Sequence, residues 1–185
     1  MHWNSRRSHA RNRSLNAEFP GTETAAKPLP LLVAFAAGGL SLALLLGALG
    51  FQYLGGYPPC EICHWQRWPH IASAVIGLGG WGLLQAGTIE RKWAASIAWL
   101  ALLCVAISGG IGVYHAGIEW HLWKGPQHCT GPRFEYTGTI DFNERVVMCD
   151  IAAWRLLGIS MAGYNAVISL GAALLGAIAL VRHKG

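Results

Sequence analysis

The sequence predicts an all-α fold, a four-helix transmembrane bundle whose two outer loops carry cysteine pairs. Three observations predict it. Hydrophobic residues make up 53% of the 185-residue chain and charged residues only 12%. A soluble domain carries roughly 25% charged residues, so polar sequence is too scarce here to cover a soluble core. The charges also cluster, which leaves four long stretches nearly free of them. Finally, four of the five cysteines fall in the segments between stretches one and two and between stretches three and four.

The first span runs about Leu29 to Tyr53, "LPLLVAFAAGGLSLALLLGALGFQY". The second runs about Trp68 to Ala86, and starts earlier if its helix reaches back through the Cys60–Cys63 segment. The third runs about Trp93 to Tyr114 and the fourth about Leu156 to Val181. Each is close to the ~20 apolar residues that cross a bilayer. Each contains Gly, Ala or Ser, which let helices approach closely in lipid. Tyr53, Trp68, Trp93 and Tyr114 sit near span ends, where amphipathic rings favour the headgroup layer.

Residues 1–28 read as a basic tail and residues 29–185 as one four-span domain. The tail is Arg- and Ser-rich, as transit peptides are, and "SRRS" hints at a twin-arginine signal, but no apolar run follows closely. The first span is too long for a cleaved signal core. Four spans put both termini on one face. The tail (Arg6, Arg7, Arg11, Arg13, Lys27), the loop "GTIERK" and the C-terminal Arg182 and Lys184 all fall there. That face is therefore expected to be cytoplasmic. The net charge of +5 is explained by these span-flanking residues, so a nucleic-acid footprint is not expected.

The opposite face receives a short loop, about Leu54 to Arg67, with Cys60 and Cys63. It also receives a long loop, about His115 to Arg155, with Cys129 and Cys149. Disulfides persist on that side of a membrane. Cys104 lies alone in the third span and reads as apolar filler. A C-x-x-C disulfide closes almost no loop, so a purely structural role gains little.

"PPCEICHWQRWPH" admits three chemistries: haem attachment, a metal site, or a thiol–disulfide redox pair. The short loop cannot wall in a haem, although His70, His115 or His121 can supply a second ligand between spans. Four thiolates suit zinc, but no zinc-ribbon pattern accompanies them. On a helix opened by Pro58 and Pro59, Cys60, Cys63 and Arg67 share one face. Both sulfurs then sit in the first turn, where the helix dipole favours a thiolate, and Arg67 adds a fixed positive charge. Pro69 is expected to kink or restart that helix.

The four spans, "CEICHWQR" as C-x-x-C-x-x-x-R, the second pair Cys129 and Cys149, and "CDIAAWRLLGIS" leading into the fourth span together resemble the DsbB family of membrane disulfide bond formation proteins. The resemblance covers about Leu29 to Val181. It implies a bacterial inner-membrane enzyme that reoxidises a periplasmic, thioredoxin-fold DsbA-like partner and reduces membrane quinone, with ubiquinone ahead of menaquinone. It implies periplasmic cysteine loops with disulfides Cys60–Cys63 and Cys129–Cys149. The partner's thiol attacks at Cys129, Cys149 and Cys60 link the two loops, and Cys63 stands nearest quinone. Arg67 stabilises the thiolate and quinone oxygens, Gln66 lines the pocket, and His115 falls near a family histidine close to quinone. No metal is implied. His64, Pro69 and the basic tail depart from the best-known members. The vitamin K epoxide reductase-like family also has four spans, but there the shuttle cysteines precede C-x-x-C; here C-x-x-C comes first.

Overall fold

The computed structural model describes residues 29–127, 129 and 147–184. The N-terminal tail and most of the long loop lie outside them. Helix α1 spans Leu29–Tyr53, α2 Glu61–Ala74, α3 Gly80–Gln85, α4 Ala94–Glu119 and α5 Met161–Lys184. A π turn, Val75–Gly79, joins α2 to α3 without a break, so the two run as one rod. A short hairpin, β1 Arg155–Leu156 paired antiparallel with β2 Ile159–Ser160, leads into α5.

Among the described residues, three helices are long and apolar enough to cross a membrane by themselves: Leu29–Tyr53, Arg91–Glu119 and Met161–His183. The α2–π–α3 rod is the fourth member of the bundle. It carries Cys63, Gln66, Arg67 and His70, and these polar residues lower its hydropathy.

Three helix boundaries, and the effect of Pro69, differ from expectation. The second helix starts at Glu61 rather than at the prolines, because Cys60 caps it. The Cys60 backbone is extended (ψ 174°) and its sulfur accepts the Cys63 amide proton at 3.3 Å. Pro69 sits inside α2 without ending it. The irregularity comes later, at the π turn. The third helix runs past Tyr114 to Glu119, since residues 115–119 are buried against the bundle. The fourth helix starts at Met161, not Leu156. Leu157 (φ 50°) and Gly158 (φ 81°) form the two-residue turn of the hairpin there. Two successive positive φ angles match the right-handed twist of a tight hairpin.

Helix α4 packs against α5, α2 and α1, and α1 packs against α2 and the π turn. One core cluster is built from small and medium residues: Ala34, Ala37, Ala98, Ala101, Leu102, Val105 and Leu180. Such residues bring backbones close, which is how helices gain contact energy in lipid. At Gly77 in the π turn a Cβ would stand 2.5 Å from the Ala34 carbonyl oxygen, so only glycine fits that crossing. Large apolar side chains such as Leu46, Leu103, Val167 and Leu175 point outward instead. That inverted pattern suits a lipid-facing surface. A second cluster lies at the loop end: Cys60, Ile62, Ile118, Cys129 and Cys149.

Candidate active site

The two cysteine pairs meet at one end of the bundle. Cys129 and Cys149 form a disulfide with Cα atoms 5.3 Å apart, buried against Cys60 and Ile118. This puts both bridge partners within ordinary disulfide reach. Cys60 and Cys63 are free thiols with sulfurs 2.8 Å apart. The pair is thus close enough to alternate between dithiol and disulfide. Its spacing follows from the cap, since Cys60 at the N-cap and Cys63 three residues on occupy the same turn.

Both sulfurs lie on the loop side of Trp68, where the span begins. The close contact divides one proton unevenly. Hydrogen bonding from Cys60 holds the Cys63 thiol below the usual thiol range, against the opposing pull of burial, and the Arg67 charge helps. The same contact, with burial, pushes Cys60 up. A thiolate is the nucleophilic and electron-donating form of cysteine.

A chain of hydrogen bonds runs from α1 to this pair. The Ser41 hydroxyl donates to His70 Nδ1 at 3.2 Å. His70 Nε2–H donates to Asn165 Oδ1 at 2.9 Å. The Asn165 amide donates to Gln66 Oε1 at 2.7 Å, and the Gln66 amide then donates to His115 Nδ1 at 2.9 Å. This order leaves the His115 proton on Nε2, which lies 3.5 Å from the Cys60 sulfur. The hydrogen bond at one ring nitrogen sets the tautomer at the other. Ser108 braces the chain by donating to the Gln66 carbonyl at 2.9 Å. The backbone of Cys149 is also within hydrogen-bonding reach of the His115 ring. His115 thus touches both cysteine pairs.

Arg67 lies one turn beyond Cys63 and donates to Gln52 Oε1 on α1 at 2.8 Å. Next to these groups is a cavity of about 430 Å³. Leu44, Phe51, Trp154, Met161 and Ile168 supply apolar wall, and Cys60, Cys63, Gln66, Arg67, His115 and Glu119 supply the polar end. An apolar pocket with a few convergent polar groups suits a flat apolar ring that carries polar oxygens.

The expected face of Cys60, Cys63 and Arg67 therefore exists, and Gln66 and His115 join it. His64 is exposed and His121 stands outside on a positive φ of 58°. Both His70 ring nitrogens are engaged, so it is not free for a haem iron. The four-thiolate zinc arrangement does not fit, because Cys129 and Cys149 are bonded to each other. A tighter group, the Cys60 and Cys63 sulfurs and a His115 ring nitrogen within 4.8 Å of one another, has the makings of a three-point metal site. Cys104 is half-buried in α4, away from the pairs. Sequence reasoning missed Gln52, Asn165 and Glu119. Asn165 and Glu119 had a signal: a polar or ionisable residue within or beside an apolar span marks function.

The family described as disulfide bond formation protein DsbB matches residues 30–179. The chain belongs to the DsbB family. Disulfide bond formation protein B of Aromatoleum aromaticum is 30% identical over 160 residues, covering 77% of this chain and 90% of that protein. The protein of the same name from Methylococcus capsulatus is 29% identical over 157 residues, covering 76% and 85%. An uncharacterised protein, RP370, of Rickettsia prowazekii is 22% identical over 138 residues, covering 71% and 76%. No solved structure matches the chain significantly. As a DsbB protein, the chain is a multi-pass oxidoreductase of disulfide bond formation that reoxidises DsbA at the expense of quinone. The family is one of the inner membrane. This decides between the chemistries open to the C-x-x-C segment in favour of the redox pair.

Proposed function

We propose that the two cysteine pairs serve separate half-reactions within one domain, residues 29–185. Cys129–Cys149 takes electrons from the DsbA-like partner. The partner's thiolate attacks Cys129, a mixed disulfide forms, and Cys149 leaves as a thiolate. Exchange with Cys60–Cys63 restores the first disulfide and reduces the second. Cys63 and Cys60 then give two electrons and two protons to quinone and close their own disulfide. The half-reactions sum to partner dithiol plus quinone giving partner disulfide plus quinol.

Quinone occupies the cavity beside Cys63. Arg67 faces its oxygen and stabilises both the thiolate and the charge that develops on quinone. Gln66 and His115 complete the polar end. Ubiquinone, ahead of menaquinone, is the proposed acceptor. Both termini are cytoplasmic and both cysteine loops periplasmic, in keeping with the basic residues on one face.

The observation that carries this reading is the shared cavity. Cys60, Cys63 and Arg67 line one apolar-walled space, and Cys129–Cys149 packs against Cys60 from outside it. The test is anaerobic mixing of the purified protein with a reduced DsbA-like protein, alone and with ubiquinone or menaquinone. Catalytic partner oxidation only with quinone, faster with ubiquinone, is the expected result. Partner oxidation beyond two equivalents without quinone, the capacity of the two disulfides, would refute the assignment.

A further inference from the structure

Glu119 ends α4 with its side chain at the polar end of the cavity, and it is 7% exposed. It is the one carboxylate among the described residues lining that cavity. Its Oε1 lies 3.8 Å from His115 Nε2. Its Oε2 is buried and has no hydrogen-bond partner among the described residues. The Ser160 hydroxyl and the charge of Arg155 approach it from the hairpin, but the Arg155 guanidinium donates to the Glu119 backbone carbonyl at 3.2 Å. A buried carboxylate oxygen with no partner is costly to keep. Such a cost is common where a group must exchange protons.

The reaction requires such a group. When a dithiol reduces quinone, an S–S bond forms, two S–H bonds break and two O–H bonds form on quinol. One proton leaves when Cys63 ionises and supplies the first O–H bond of quinol. The other stays on Cys60 until Cys60 attacks the Cys63 sulfur. His115 is the obvious acceptor by distance, yet it is poorly suited. Its Nδ1 accepts from Gln66, so its Nε2 already holds a proton and faces Cys60 as a donor. It can steady a thiolate but has no free lone pair to receive a proton.

We propose that Glu119 is the proton acceptor of the thiol–quinone step, taking the Cys60 proton as the Cys60–Cys63 bond closes and delivering it to the quinol oxygen. The electron pair of the new S–S bond comes from the Cys60 sulfur, and the two electrons released at Cys63 pass to quinone. Glu119 starts and ends the cycle as a carboxylate. The inference rests on assigning Cys60–Cys63 to quinone.

The test is anaerobic single-turnover oxidation of the fully reduced, full-length protein by a short-chain ubiquinone, followed by quinone absorbance and by thiol labelling. Wild type, Glu119→Gln and Glu119→Ala are compared in light and heavy water, with and without added formate. Glu119→Gln is expected to slow disulfide closure about a hundredfold, within the usual range for loss of a general base. Glu119→Ala is expected to be slow alone and accelerated by formate, a small carboxylate that enters the space left behind. A Glu119→Gln rate and solvent isotope effect equal to wild type would overturn the proposal. So would a slow Glu119→Ala protein that formate does not accelerate, since that pattern belongs to a structural role. Failure of wild type to react with quinone would instead remove the assignment of Cys60–Cys63, and the proposal with it.

Discussion

His115 Nε2 lies 3.5 Å from the Cys60 sulfur, on the far side of the ring from Gln66. The contact joins α4 to the cap of α2, residues 55 positions apart in sequence. It gives Cys60 a hydrogen-bond donor at the moment its sulfur carries charge. A donor aimed at developing charge in a water-poor site is worth on the order of a hundredfold in rate. His115→Ala is therefore expected to slow quinone-dependent oxidation of the Cys60–Cys63 pair by about that factor. Gln66→Leu frees Nδ1 and should cost less, while shifting the ring nitrogen resonances toward a mixture of tautomers. Unaltered oxidation kinetics in His115→Ala would contradict this role.

Cys63 is predicted to stay reactive below the pH range of an ordinary thiol. Its pKa is lowered first by the Cys60 hydrogen bond. A lowered pKa means that the thiolate persists as pH falls through about 8.5, the usual thiol midpoint, and is lost only at lower pH. The rate of alkylation of the reduced protein by iodoacetamide, followed against pH at Cys63, should thus have its midpoint below that value. Cys60→Ala removes the first cause and should move the midpoint upward. A midpoint unmoved by Cys60→Ala would show that the cysteine contact does not set it.

Arg67 is held from α1 by Gln52, so its position depends on two helices. Lysine keeps the charge but lacks the planar fork that can serve Gln52 and an acceptor oxygen together. Arg67→Lys should be partly active, and Arg67→Met should lower the quinone-dependent rate about a hundredfold. Gln52→Ala should fall between wild type and Arg67→Met, chiefly through a higher apparent KM for quinone. Exchange between the two cysteine pairs should be little affected in all three. Quinone kinetics with each variant check this; an unchanged KM in Arg67→Met would leave Arg67 as a membrane anchor only.

Much of this was legible in the residues. Apolar runs marked α1, α4 and α5 because lipid-facing helices must be apolar nearly all round. The spacing of Cys60, Cys63 and Arg67 marked a shared face because 3.6 residues make a turn. The chemistry at residues 115–119 was obscured by the same hydropathy logic. "HAGIE" is polar at both ends, so the third span looked finished at Tyr114. Burial against the cysteine cluster, a tertiary effect, keeps the helix going to Glu119. The start of α5 was misplaced because Leu156 and Leu157 are apolar, and only the Leu157–Gly158 turn makes them a hairpin. Asn165 could be seen as a polar residue in an apolar span, but its partners Gln66 and His70 are about a hundred residues away, and no local pattern links them.

The central claim is that each cysteine pair performs its own half-reaction. The most direct measurement uses the Cys129→Ser/Cys149→Ser double variant, reduced and then mixed anaerobically with ubiquinone, and separately with reduced DsbA-like protein plus ubiquinone. The account predicts that Cys60 and Cys63 are still oxidised by quinone at close to the wild-type rate, while the partner stays reduced. Partner oxidation at the wild-type rate in the double variant would contradict the account.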